Sequence, residues 1–525
     1  MNKNQTLLLV LTLAVAVMFA NIGGLDIYAL DEAKNAEAAR AMFESGDYIV
    51  PYYNGELRTD KPPLHYYFMA AGYQFFGVNA FGARFFSSVA GVLTILLTFL
   101  FASKHFGQRT GLFSALVLIS SLHTVLQFHM SVPDPYLIFF LTWAFFSFYE
   151  AYVSNSKWKL FAFYFAIGCG LLIKGPIALG LTGLTVVVLL LLKKDFKLAT
   201  ILRLQPFTGV LLSLMVAFPW YYQVHQKTDG AWIDGFFFKH NIDRFSSAME
   251  GHSGIFLLTF AYVFLLGMLT YMPFIAQSIK RNWQDRKEDS AVMYLLAGLI
   301  VIVGFFAISS TKLPNYTTPV YPLLAILIGR YVSRIDASWF GNKWNRFGLW
   351  VYGVLLIGFP VGIYFGLAAD KSLSHLTHIA WYFLPLSFTG FYIAFKLIAR
   401  QYENRILYTI NASWLVTIIL FFHLIFPQID AENPVRKTLP HIATSEKIIA
   451  FKRLNAAFVF ELEREITNYP DLESLKAQMS RYKKGYVISR TSYQAELEQI
   501  KGLVYVTEAR DTFENPTTLI MKWGD

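Results

Sequence analysis

Apolar segments recur along this chain at lengths that suit a lipid bilayer, and this recurrence restricts the fold more than any other feature. The first runs from Thr6 to Ile22, followed at about Arg84 to Ala102, Gly111 to Phe128, Tyr136 to Val153, Leu160 to Ile173 and Ile177 to Leu192. The series continues near Phe207 to Val224, Ile255 to Ile279, Val292 to Ile308, Thr318 to Tyr331, Gly348 to Ala368, Ile379 to Ile398 and Ile406 to Phe426. A helix of about 20 residues crosses the hydrocarbon core, so about thirteen transmembrane helices are expected. With 55% of residues hydrophobic and 15% charged, no soluble core accounts for the composition. The first run exceeds the apolar core of a signal peptide and is expected to be retained. Cys169, the single cysteine, lies in an apolar run and offers neither a disulfide nor a metal framework.

Charge placement sets an orientation. With Met1 inside, the inner loops carry Lys104 and Arg109, Lys157 and Lys159, Lys193, Lys194, Lys197 and Arg203, then Lys280, Arg281, Arg286 and Lys287. Later ones carry Arg330, Arg334, Lys343 and Arg346, then Arg400 and Arg405. The excess of basic residues, 45 against 35 acidic, therefore reads as the positive-inside signal, with no need for a nucleic-acid partner. An odd number of spans puts both the first loop, residues 25–81, and the tail from Pro427 to Asp525 on the outer side. The tail is rich in charge, and β-rich runs at Lys447 to Phe451, Tyr486 to Ser489, Leu503 to Thr507 and Thr518 to Trp523 flank helical stretches. It is expected to form a small soluble α/β domain, without a nucleotide loop, zinc spacing or nucleophile elbow.

The first loop, from Leu25 to Leu64, concentrates charge at the membrane surface. Asp31 and Glu32 open an alanine-rich segment to Glu44 whose Ala36, Ala39 and Phe43 share one side, which predicts an interfacial helix. Arg58, Asp60 and Lys61 precede Pro62 and Pro63, and the aromatic run His65, Tyr66, Tyr67, Phe68 returns the chain to the interface. Further polar residues map to the same side: Asp134 in SVPDPY, Lys174 in LIKGPIAL, the segment with His225, Lys239, His240, Asp243 and Arg244, and Lys312 and Tyr316 in SSTKLPNYTTP. Each residue also has a plain structural use. Asp31 and Asp134 suit helix N-caps, Lys61 and Lys174 can snorkel, and His240 and Arg244 fall on one helix face. Ionisable groups near hydrocarbon are costly, however, and usually pair or serve a pathway. Together they suggest a site for an anionic, lipid-linked substrate, with cations on phosphate and a carboxylate at the acceptor or the sugar carbon.

The ordered motifs LDEAKNAEAARAMFESGDYIVPYYNGELRTDKPPLHYY, SVPDPYLIFF, LIKGPIAL, PWYYQV, HNIDRF and STKLPNYTTPVYP resemble the bacterial lipid A aminoarabinose transferases and, more broadly, the protein O-mannosyltransferase superfamily of GT-C glycosyltransferases. The resemblance is clearest over Asp26 to Pro322 and extends to the expected layout, a membrane body over 1–426 and an outer domain over 427–525. It implies transfer of a sugar, with inversion, from a polyprenyl (undecaprenyl) phosphate donor to a lipid or protein acceptor, lipid A foremost, on the periplasmic face of the bacterial inner membrane. Asp31, with Glu32 beside it, matches the first-loop acid needed for catalysis, and Asp134 the second acidic position. Lys61 and Arg244 match lipid-phosphate contacts, with Arg58, Lys174 and Lys312 as further phosphate ligands and Tyr66, His240 and Tyr316 as substrate contacts. Where the aminoarabinose enzymes commonly carry glutamate before the lysine, this chain has the shorter Asp60. No metal-ligand set is read from the residues, and a divalent ion at that position is the one cofactor the resemblance leaves open.

A secondary transporter or flippase is the main competing class. It calls for inverted repeats, broken helices and ionisable groups near the midplane, whereas the candidates here gather at one set of helix ends.

Overall fold

The computed structural model describes residues 2–242, 254–401, 405–512 and 516–524. Among these, seven helices are long and apolar enough to cross a membrane: Ala80–Phe106, Pro133–Ser154, Leu198–Lys227, Ser290–Ile308, Lys343–Ala369, Ser374–Ile398 and Arg405–Asp430. Two bent pairs raise the number to at most nine. This multi-pass architecture is coarser than the thirteen spans expected, because several apolar runs are helical but short, among them Lys3–Met18 (α1), Ile177–Leu192 and Tyr321–Val332. Tyr321–Val332 is almost wholly buried, so protein, not lipid, accounts for its apolar composition.

The first loop folds into α2 (Leu30–Ser45), a small hairpin of β1 (Tyr52–Tyr53) and β2 (Glu56–Leu57), and α3 (Leu64–Phe76). α2 starts without a side-chain cap; Asp31 and Glu32 occupy its first turn, and Gly46, at φ +71°, ends it in the left-handed conformation that glycine adopts without strain. The helix is where the alanine spacing puts it, but its apolar side does not face lipid. Ala33, Ala36, Ala39 and Met42 pack in one core with Tyr66 and Tyr73 of α3 and with Ile448, Phe458 and Ile488 of the C-terminal region. Alanines permit this close approach from two sides, and the Tyr73 hydroxyl donates to the Ala36 carbonyl at 3.0 Å.

The C-terminal region builds a five-stranded mixed sheet from β3 (Lys447–Phe451), β4 (Asn468–Tyr469), β5 (Gly485–Arg490), β6 (Leu503–Arg510) and β7 (Thr517–Trp523), in the order β4-β3-β5-β7-β6. β3, β4 and β5 are parallel and β7 runs antiparallel to β5 and β6. Four of these strands fall on the expected β-rich runs. The sheet is tied to the hairpin by a reciprocal pair, Asn54 Nδ2 to the Ile466 carbonyl (2.9 Å) and Ile466 N–H to Asn54 Oδ1 (2.7 Å), and Tyr28 donates to Asp511.

The bent pairs, Gln108–Ile119 with Leu122–Phe128 (71°) and Phe256–Leu266 with Leu269–Asp285 (76°), meet at their breaks. Thr270 Oγ1 donates to the Ser120 carbonyl at 2.7 Å and Ser121 Oγ to that of Gly267. Backbone groups freed by each bend are thus satisfied by the other, as a low-dielectric interior requires.

Candidate active site

The acidic pair that opens α2 splits into two roles. Glu32, 3% exposed, is gripped by Arg84 of the span Ala80–Phe106 through Nε to Oε1 (2.7 Å) and Nη2 to Oε2 (2.9 Å). Ser131 N–H adds a bond at 2.8 Å. The same guanidinium donates to the carbonyls of Ile22, Leu25 and Asp26, so all its donors are used in closing the first loop onto the bundle. This bidentate, desolvated fork joins the start of α2 to the segment just before Asp134. Asp31 is exposed and caps nothing, which removes the capping role that its position suggested.

A second network lies one turn along α2. Asn35 Oδ1 faces Arg58 Nη2 (3.1 Å), the Tyr66 hydroxyl (3.4 Å) and His65 Nε2 (3.4 Å), and Arg58 Nε donates to the Tyr66 oxygen at 2.9 Å. Arg58 is buried, with Asp60 at 3.3 Å. Burial opposes its charge, but Tyr66, Asp60 and Asp31 more than offset this and hold the guanidinium charged. Burial, reinforced by Arg58, Lys61 and Lys174, holds the His65 pKa well below its ordinary value, so His65 stays neutral among cations. The loop bearing Arg58 is clamped from behind, Trp232 Nε1 donating to the Arg58 carbonyl (2.9 Å) and Trp220 Nε1 to that of Ile49 (3.0 Å).

The third group forms where Pro133–Ser154, Lys157–Lys174 and the segment after Ser290–Ile308 meet. Asp134, 5% exposed and in the first turn of Pro133–Ser154, accepts from Lys174 Nζ at 2.7 Å and from Asn315 Nδ2 at 3.3 Å. Lys174 Nζ also lies 5.0 Å from the centre of the Tyr316 ring, within cation–π range. Asp134, Lys174 and Tyr316, far apart in sequence, are therefore one constellation. Lys312 is not part of it: its ammonium donates to the carbonyls of Ala307 (2.8 Å), Phe306 (3.1 Å) and Ser309. Its three donors satisfy the end of the helix Ser290–Ile308 and leave none for the phosphate contact expected of it. Arg244 and the side chain of His240 lie outside the described residues. Among the described residues no three His, Cys, Asp or Glu side chains converge as metal ligands, and Asp60 faces Arg58 at 3.3 Å.

Sequence reasoning missed Arg84, Asn35 and Asn315. Arg84 had a signal, a cation at the outer end of an apolar run, where a partner is required. Asn35 and Asn315 carried none, since a neutral amide is an ordinary surface residue until the fold buries it.

Residues 5–233 match the dolichyl-phosphate-mannose-protein mannosyltransferase family. The fold is shared with ArnT from Cupriavidus metallidurans, whose apo crystal structure superimposes with a TM-score of 0.80 at 21% identity, covering 98% of this chain and 97% of that one. The same protein bound to undecaprenyl phosphate gives 0.79 at 20% identity, over 99% and 98%. In sequence, the undecaprenyl phosphate-alpha-4-amino-4-deoxy-L-arabinose arabinosyl transferase of Aeromonas hydrophila is 31% identical over 307 residues, 58% of this chain and 55% of that protein. A protein of Aquifex aeolicus is 27% identical over 340 residues, 65% of this chain and 74% of its own length. The match thus takes in little more than half of the arabinosyl transferase.

Proposed function

We propose that the protein is an inverting glycosyltransferase of the bacterial inner membrane that moves a sugar from polyprenyl (undecaprenyl) phosphate to an envelope acceptor, lipid A first among them. In this reading the chain crosses the membrane thirteen times, residues 1–426 form the catalytic body, and residues 427–525 lie with the site on the periplasmic face. What supports it is that His65 feels the charges of Arg58 and Lys61 from the first loop together with that of Lys174, that Arg58 feels the charge of Asp31, and that Lys174 pairs with Asp134 beside the Tyr316 ring.

The chemistry follows from that charge pattern. An acceptor oxygen attacks the anomeric carbon as the bond to the lipid phosphate breaks, and the released phosphate keeps the electron pair. Lys61 and Arg58, with Arg244 by resemblance, neutralise the phosphate, which makes it a competent leaving group. Asp31, exposed and not engaged in capping, orients the acceptor and takes its proton if the nucleophile is a hydroxyl; an ionised phosphate acceptor needs only the orientation. Asp134 and Lys174 hold the far wall, while Glu32 and Arg84 fix the helix that presents Asp31. The match to a protein mannosyltransferase family favours, as the second reading, a protein hydroxyl as acceptor.

The test is transfer from labelled undecaprenyl-phosphate sugars in membranes, with mass spectrometry of the product. Asp31→Asn is expected to fold normally and lose about 10²- to 10⁴-fold in rate for a hydroxyl acceptor, and Lys61→Ala to lose transfer as well. Sugar on lipid A or on protein distinguishes the two readings. Normal transfer by folded Asp31→Asn would remove the first loop from the site, and no donor consumption under any condition would favour transport.

A further inference from the structure

We infer that a second site, at the seam between the first loop, the last span and the C-terminal domain, binds the headgroup of an aminophospholipid. A cavity of about 380 Å³ lies there, with Asp26, Asn433, Arg436 and Glu461 against Ile27 and Leu439. A smaller pocket of about 70 Å³ shares Asp26 and Tyr28 with it and is otherwise largely apolar, walled by Leu25, Leu126, Phe422 and Phe426. The lining therefore grades from charged to hydrocarbon just where α1 has ended and the last span closes at Asp430. That gradient suits the headgroup end of an amphiphile lying at the bilayer edge. The apolar floor touches Glu32 and Arg84, so it backs onto the start of α2, but neither pocket includes Arg58, Lys61, Asp134 or Lys174, and the inference does not rest on the proposed transfer reaction.

The charges select the headgroup. Arg436, exposed, has Nη1 3.6 Å from Asp26 Oδ2, and its fork can take a phosphate. Asp26 also accepts from Asn433 at 3.0 Å. Glu461 has no hydrogen-bond or ion-pair partner among the described residues. Burial, then repulsion from Asp26, Asp430 and Glu463, push its carboxyl up to about 7 against the pull of Arg436. Two carboxylates and one guanidinium around one cavity match a group that carries both an ammonium and a phosphate. An anionic lipid would leave Glu461 without a counter-charge, and a choline headgroup has no N–H to donate to it.

The test uses delipidated full-length protein, read by native mass spectrometry and thermal unfolding. The probes are phosphatidylethanolamine, phosphatidylglycerol, phosphatidylcholine and free phosphoethanolamine. Phosphatidylethanolamine is expected to remain bound and to raise the unfolding temperature more than the other three. Glu461→Gln and Arg436→Gln are each expected to weaken its binding about tenfold. Equal binding of phosphatidylglycerol or phosphatidylcholine, or unchanged affinity in folded Glu461→Gln, would overturn the assignment. An equal shift from free phosphoethanolamine would overturn the role of the apolar floor.

Discussion

Asp31 and Glu32 are adjacent, carry the same charge and read alike in sequence, yet one faces solvent and the other closes a buried fork on Arg84. Burial decides what a carboxylate can do, and burial is not visible in a dipeptide. The same holds for Asp134 and Lys174, whose 2.7 Å contact removes two charges from water together. Breaking a buried pair on one side leaves the other charge uncompensated, at a cost of about 3–5 kcal/mol. Asp134→Asn and Lys174→Met are each expected to destabilise strongly, and the double variant to recover part of the loss, measured as a double-mutant cycle of thermal unfolding. Glu461 behaves differently, since its folded pKa of about 7 lies above its ordinary 4.5. A raised carboxyl contributes stability below pH 4.5 that is lost as pH rises through 7. Glu461→Gln is accordingly expected to unfold at a higher temperature than the unchanged protein at pH 8, with the difference closing as pH falls towards 4.5. A flat difference across that range would show that the carboxyl is not perturbed.

At the scale of elements, hydropathy located the helices but not their surroundings. α2 has the alanine spacing of a surface helix, and the same spacing serves a helix packed between two proteinaceous faces, because alanine is small enough for both and too weakly apolar to declare which. The two bends likewise escape a hydropathy reading, since an apolar run looks the same straight or broken. Gly267, at the second break, leaves room for Tyr321, since a Cβ there would lie 2.4 Å from its ring. Gly267→Ala is expected to destabilise by about 1–3 kcal/mol through overpacking, visible as a lower unfolding temperature in detergent. An unchanged temperature would mean that the Tyr321 ring can give way without cost.

For the whole molecule, the C-terminal sheet region and α2 share one core, so that region is expected to hold the helix. Phe458, fully buried, packs in the cluster with Ala33, Ala36 and Met42. Phe458→Ala is expected to cost about 3–5 kcal/mol and to speed hydrogen exchange over residues 30–45 while leaving the membrane helices protected. Equal protection of α2 would uncouple the two regions. The sequence by itself determined a helical multi-pass body and four of the five strands of the C-terminal sheet, because hydropathy and β-propensity are local and additive along the chain. Only the tertiary structure decided that Glu32 belongs to Arg84, that Asp134, Lys174 and Tyr316 are neighbours, and that Lys312 turns back on its own helix end. Those outcomes depend on which donors and acceptors meet when distant segments are desolvated together, and no local property of the chain carries that information.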